Sequence, residues 1–180
     1  RVRPAQKQYQ GGVVTFELPA SLVSQLEALV QCRGATLFMG LLAVFQVFLG
    51  RLSGQNDFAV GTPVAHRTHS ELEGLIGFFA NTLVIRSGVD LELGFEAYLD
   101  TVRARTLGAY EHQDLPFEQL VDRINPERSL SYTPLFQVMF SLNNATGALP
   151  AWPGMQLEGL GAGGEAAKSK FDLSLDLQPG

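Results

Sequence analysis

Over residues 13–18 apolar and polar positions alternate, with Val14, Phe16 and Leu18 on one face and Val13, Thr15 and Glu17 on the other. That period predicts a strand, ended by Pro19. Ser21 is placed to cap a helix whose apolar face is Leu22, Leu26, Leu29 and Val30, closing near Gly34. Thr36 then caps a second helix, apolar on every side over residues 37–49 with Gln46 as the main polar interruption. Such a helix is expected to be covered on several sides by a sheet or by other helices. It is too short for a membrane span, which needs about 20 apolar residues, and it runs into Gly50 and Arg51.

Phe58, Val60, Thr62 and Val64 share one face of a strand that Pro63 marks as ending or lying at a sheet edge. A polar loop over residues 66–73 leads to IGFFANTLVIR, residues 76–86, an approach turn and then a strand. In it Asn81 shares a face with Phe79, Leu83 and Ile85, and an amide among such neighbours needs a partner. Phe95, Tyr98, Leu99, Val102, Thr106, Ala109 and Tyr110 recur at helical spacing, as do Phe117, Leu120, Val121 and Ile124. Between these helices HQDLPFE, residues 112–118, forms a corner that turns polar groups inward. Asp114 is placed to cap the second helix by accepting from the Phe117 N–H, with Pro116 in its first turn and Asn125 and Pro126 stopping it.

The clearest strand follows, with Phe136, Val138, Phe140 and Leu142 on its core face. Leu135, Gln137, Met139 and Ser141, continued by Asn143, form a mixed face suited to border a cavity. From Ala145 the composition turns to Gly, Ala and Pro, with a short strand expected at residues 155–158. Phe171, Leu173, Leu175 and Leu177 alternate in a final strand. Strands and helices in this order predict an α+β or α/β sandwich, one mixed sheet covered by helices.

Composition narrows the function. The 180 residues suffice for one domain with a substantial core, and 46% hydrophobic content excludes general disorder. A net charge of −5 with scattered basic residues argues against nucleic acid and against an anionic membrane surface. One cysteine, Cys32, excludes an internal disulfide and fits a reducing compartment, and the polar first ten residues do not read as a secretory signal. A cytoplasmic protein is expected.

Several chemical patterns fail on context. His66, His69, Glu71 and Glu73 crowd one polar loop without a second ligand cluster, so no metal is expected. Gly159, Gly161 and Gly164 have pyrophosphate-loop spacing, but only six residues, not a helix, separate them from the last strand. Cys32 has no neighbouring histidine and no G-x-S-x-G elbow occurs, which leaves serine and cysteine hydrolases without support.

Taken together, IGFFANTLVIR (76–86), HQDLPFE (112–118) and RSLSYTPLFQV (128–138) resemble the condensation domains of nonribosomal peptide synthetases. The likeness extends through GTPVAHR (61–67) and the buried helix, so it covers nearly the whole chain, and it is to the C-terminal half of such a domain. The resemblance implies a chloramphenicol-acetyltransferase-like subdomain, one arm of a V whose two halves enclose a tunnel. It implies amide formation between two thioesters tethered by phosphopantetheine to carrier domains, with no cofactor bound by this chain. Implied partners are the N-terminal half, the donor and acceptor carrier domains and a neighbouring adenylation domain.

This sequence also departs from the family pattern. The reaction motif His-His-x-x-x-Asp-Gly, which belongs to the N-terminal half, is absent: His66, His69 and His112 stand apart. No catalytic residue is therefore assigned, and the chain reads as truncated at both ends. Ser129 and Tyr132 stand where the family has Asp and Arg. Candidate tunnel-wall residues are Asn81, Thr82, Gln113, Asp114, Ser141 and Asn143, and Arg67 and Arg86 are candidates for ion pairs with the other half. Each has a plainer role open to it, as a helix cap, a backbone bond or a subdomain contact. Residues 145–164 are the candidate segment that crosses to the other half. A noncatalytic carrier-docking scaffold, or half of a related epimerisation or heterocyclisation domain, are the competing readings.

Overall fold

The computed structural model describes residues 3–67, 69–72, 74–127, 129–143 and 168–179. Helix α1 (Ala20–Cys32) begins one residue before Ser21: the Pro19 carbonyl accepts from Leu22 N at 2.9 Å and Val23 N at 3.1 Å, and no side chain caps it. Pro19 thus opens a helix instead of only closing a strand. Helix α1 meets α2 (Leu37–Ser53) where Gly40 admits Val30; a Cβ at Gly40 would lie 2.5 Å from a Val30 methyl. Leu26 packs at the same crossing, while Leu22, one turn earlier, stays exposed.

Thr36 caps α2 as expected, its hydroxyl accepting from Met39 N at 3.3 Å. Leu42, Ala43, Phe45 and Leu49 face the core, but Val44, Phe48 and Leu52 remain exposed along one side. The helix is therefore covered on most of its circumference rather than all of it. Gln46 is 1% exposed, and its Oε1 accepts from the Tyr98 hydroxyl at 2.8 Å, which ties α2 to α3 (Phe95–Glu111) through the core. Burial pushes the Tyr98 phenol up to about 12, keeping it a donor. Tyr98, Leu99, Val102 and Thr106 form the buried face of α3, as their spacing predicts.

Among the described residues four strands make one mixed sheet in the order β2 (Asn81–Arg86), β1 (Ala59–Val64), β3 (Val138–Leu142), β4 (Leu173–Leu177). The first pair is antiparallel and the other two are parallel. Val60, Thr62, Leu83, Ile85 and Phe140 share the face turned to α2 and α3, and Phe38 and Phe45 of α2 pack on Phe140 at ring distances of 5.3 and 5.7 Å. β1 is an inner strand, yet its ladder with β3 spans only Val60 and Gly61, so Pro63 lies past that pairing and costs it nothing.

Two sequence expectations change. Residues 13–18 form no strand: Val13 is 80% and Val14 87% exposed, and the nearest ladder contact among the described residues is an isolated Gln10–Lys168 bridge. Alternation gives a strand only where a neighbouring strand receives its hydrogen bonds. The strand at Phe136 starts two residues later, because Leu135 has φ +66° and breaks the extended run, while the Thr133 hydroxyl donates to the Phe136 carbonyl at 2.6 Å. The short strand expected at residues 155–158, the glycine triplet and the crossing segment lie outside the described residues.

Candidate functional site

Sheet register gathers most of the candidate residues at one end. Val64 pairs with Asn81, Leu142 pairs with Leu177, and the parallel β1–β3 register carries Val64 level with Leu142. The end of β1, the start of β2 and the ends of β3 and β4 thus share one rim.

Asn81 organises that rim. Its Nδ2 donates to the carbonyls of Gln113 at 2.8 Å and Leu115 at 2.9 Å. Its Oδ1 accepts from Phe117 N at 3.2 Å and Thr82 N at 2.8 Å. One amide therefore satisfies both polarities of the HQDLPFE corner and fastens it to β2. The first backbone N–H of α4 (Phe117–Ile124) takes its cap from this distant side chain, with Pro116 as the N-terminal flanking residue. Asp114 does not cap α4, contrary to the expectation from sequence, because Asn81 already occupies that N–H.

Asp114 turns instead to His66, whose Nε2 lies 2.8 Å from its Oδ1. His66 follows β1 and has φ +50°, a left-handed conformation that swings the chain toward the corner. The Asp114 side chain is 86% exposed, so the pair stands at the surface of the rim. Nothing in local spacing announces a contact between residues 48 positions apart, and in the sequence His66 is legible only as part of a polar loop. Asn125 at φ +47° closes α4, as its sequence position indicates.

Thr82 and Ser141 lie on the opposite face of the sheet from Asn81, since strand residues alternate. The Ser141 hydroxyl donates to Asp176 Oδ1 at 2.5 Å, a partner on β4 that no sequence pattern suggests. Asn143 donates its backbone N–H to the Leu177 carbonyl at 2.8 Å, which holds the rim ends of β3 and β4 together. Gln113 receives Asn81 at its carbonyl and keeps its side chain half-buried.

The two arginines are engaged inside this chain. The Arg67 guanidinium donates to the Leu72 carbonyl and, at 3.0 Å, to the Leu75 carbonyl, and lies 4.5 Å from the centre of the Phe79 ring. It braces the loop between β1 and β2. Arg86 lies at the far end of β2 and grips Asp57 with Nε–Oδ1 at 2.8 Å and Nη2–Oδ2 at 2.6 Å, hydrogen bonds that hold the Asp57 carboxyl below its ordinary range. Arg86 lies five positions along the strand from Asn81, about 17 Å, so it does not belong to the rim. Ser129 bonds to Ser131 at 2.8 Å and Tyr132 lies under Arg3, which fills the two positions where the family pattern has charges. Among the described residues no three His, Cys, Asp or Glu side chains gather as a metal site, and no single helix is long and apolar enough to cross a membrane.

A mixed sheet covered on one face by helices, with a polar corner fastened to its rim, places the chain among chloramphenicol-acetyltransferase-like subdomains. The Condensation domain family model matches residues 1–180, and the chain belongs to that family. It is 50% identical over 177 residues to a linear gramicidin synthase of Brevibacillus parabrevis, covering 98% of this chain and 4% of that protein. It is 41% identical over 174 residues to tyrocidine synthase 3 of the same organism, covering 97% of this chain and 3% of that one. Among solved structures, a four-domain nonribosomal peptide synthetase in its holo form, bound to AMP and glycine, superposes with a TM-score of 0.84 at 27% identity, over 97% of this chain and 14% of that one. The X-domain from teicoplanin biosynthesis superposes with a TM-score of 0.76 at 28% identity, over 82% of this chain and 33% of that one. The chain thus spans only 4% and 3% of the length of these two curated relatives.

Proposed function

We propose that this chain is the C-terminal half of a condensation domain and forms one wall of the tunnel in which a peptide bond is made. The observation that carries the reading is the rim itself: one amide, Asn81, fixes the HQDLPFE corner to the sheet end where Thr82, Ser141 and Asn143 also lie. In the proposed reaction the α-amine of an acceptor aminoacyl thioester attacks the carbonyl of a donor thioester. The C–N bond forms, the C–S bond breaks, and the donor's phosphopantetheine thiol leaves. Tethering both substrates to carrier domains raises their effective concentration, and a closed tunnel protects the thioester from water.

The role of this half is positioning. The Thr82 and Ser141 hydroxyls and the Gln113 and Asn143 amides offer donors and acceptors to the amide groups of a pantetheine arm, and a rim held rigid by Asn81 orients them. Paired histidines do not occur in the sequence, so proton transfer falls to the N-terminal half. The carrier and adenylation domains of a synthetase are the partners of this reading, and the free thiol of Cys32 suits the reducing cytoplasm.

A pantetheine thioester bearing a photoreactive acyl group tests the assignment in the chain reconstituted with an N-terminal half. The expected crosslinks fall on residues 81–82, 113–114 and 141–143. Labelling concentrated near Arg86, at the other end of the sheet, contradicts it.

A further inference from the structure

β2 is an edge strand of the sheet, and among the described residues no strand pairs with its outer edge. The Ser87 N–H donates to the Phe58 carbonyl at 2.7 Å, and the Thr82 N–H is taken by its neighbour Asn81. The alternation of an antiparallel ladder therefore gives Asn81, Leu83 and Ile85 to β1 and turns the backbone groups of Thr82, Val84 and Arg86 outward. Pro63, opposite Thr82, has no N–H to give to β2, in agreement with that phase. Among the described residues the Val84 N–H and carbonyl have no hydrogen-bond partner in this arrangement.

This edge runs along an open groove of about 760 Å³, lined by Val84, Arg86, Asn56 and Asp57 on one side and by Arg105 and Ala109 of α3 on the other. The Arg105 guanidinium reaches across to the Arg86 carbonyl at 3.2 Å. Ala109 keeps the facing wall low. Arg86 is already matched by Asp57, whereas Arg105 has no carboxylate within ion-pair distance among the described residues. Among its described lining residues the groove therefore carries one more positive than negative charge, beside the unmet backbone N–H and carbonyl of Val84.

We propose that this edge accepts an extended, acidic peptide segment of a separate polypeptide, added antiparallel to β2 as a fifth strand. The backbone of the guest exchanges both hydrogen bonds with Val84, and a guest carboxylate meets Arg105. A second copy of this chain is the poorer guest: pairing β2 with itself about Val84 brings two copies of Arg86 and Arg105 into one groove against two copies of Asp57. Strand addition at this edge is distinct from tunnel chemistry, because the groove lies at the end of β2 remote from Asn81.

The test is fluorescence anisotropy of a labelled hexapeptide of alternating valine and glutamate, titrated with the 180-residue chain at low ionic strength. Saturable binding is expected, weakened about tenfold when lysine replaces glutamate in the peptide and about tenfold by Arg105→Glu in the chain. Backbone N-methylation of the peptide at alternate residues in one phase is expected to abolish binding, and in the other phase to leave it within about twofold. Because the peptide series needs no change in the protein, its outcome does not depend on how a variant folds. Absence of saturable binding, equal sensitivity to N-methylation in both phases, or equal affinity for the lysine peptide overturns the proposal. A concentration-dependent dimer that protects the Val84 amide from exchange and excludes the peptide also overturns it, in favour of the second copy.

Discussion

Asn81→Ala is expected to lower the unfolding free energy by about 2–4 kcal/mol, measured by urea denaturation. The magnitude follows from what one amide satisfies: two carbonyls, at Gln113 and Leu115, and two backbone N–H groups, at Phe117 and Thr82. These groups sit partly away from water, so losing the side chain leaves several of them underbonded together. Asn81→Asp keeps both acceptor contacts and replaces the two donors with a carboxylate facing two carbonyls, so it is expected to cost at least as much. Amide exchange locates the damage. Protection at Phe117 and Leu120 should fall in Asn81→Ala while Leu99 and Val102, in the core of α3, keep theirs until global unfolding. An Asn81→Ala chain with wild-type stability and wild-type protection at Phe117 would remove Asn81 from its organising position.

Gly61→Ala is expected to cost about 3 kcal/mol, because the added carbon falls 2.3 Å from the ring of Phe136. That ring is 3% exposed and packs between Phe117 at 5.6 Å and Phe171 at 5.4 Å, so it has nowhere to retreat. The three rings join the corner helix α4, the SYTPLFQV turn and the segment before β4. A glycine in the middle of β1 is thus the place where these meet the sheet. Phe136→Leu in the same chain frees that space, and the double variant is expected to be more stable than the sum of the two single losses predicts. Additive losses in denaturant melts would show that the contact is not the cause.

The elements legible in the sequence are those whose partners are local. Thr36 lies three residues from the N–H it caps, and the face of α3 repeats every three or four positions, so both are readable before any tertiary contact is known. The family likeness is readable for a similar reason: three motifs carry dense local constraints on turns and packing. The misreadings share the opposite property. Asp114 satisfies every local rule for capping α4, but Asn81, 36 positions from Phe117, competes for the same N–H, and no short window of sequence contains both. His66 pairs with Asp114 across 48 positions and Ser141 with Asp176 across 35. Residues 13–18 have the period of a strand, but among the described residues they find no neighbouring strand, the one thing a period cannot supply. Arg86, a candidate by charge for pairing with the other half, is carried by the antiparallel register to the far end of the sheet, where it meets Asp57 within this chain; that contact, 29 positions away, is likewise outside any short window.

The site read from sequence therefore divides. Asn81, Gln113 and Asp114 come together at the corner, Thr82, Ser141 and Asn143 share their end of the sheet, and Arg67 and Arg86 spend their charge on the Leu72 and Leu75 carbonyls and on Asp57. A rim built this way is polar and firmly braced, in keeping with the positioning role proposed for it.

The most direct measurement is peptide formation from donor and acceptor thioesters on their carriers, with this chain alone, with a separately supplied N-terminal half alone, and with the two mixed. Product only on mixing, and its loss when Asn81→Ala replaces the wild-type chain in a mixture that still assembles, is the predicted result. Product from this chain alone would contradict its role as one wall of a two-part site; an assembled but inactive mixture would favour a carrier-docking scaffold instead.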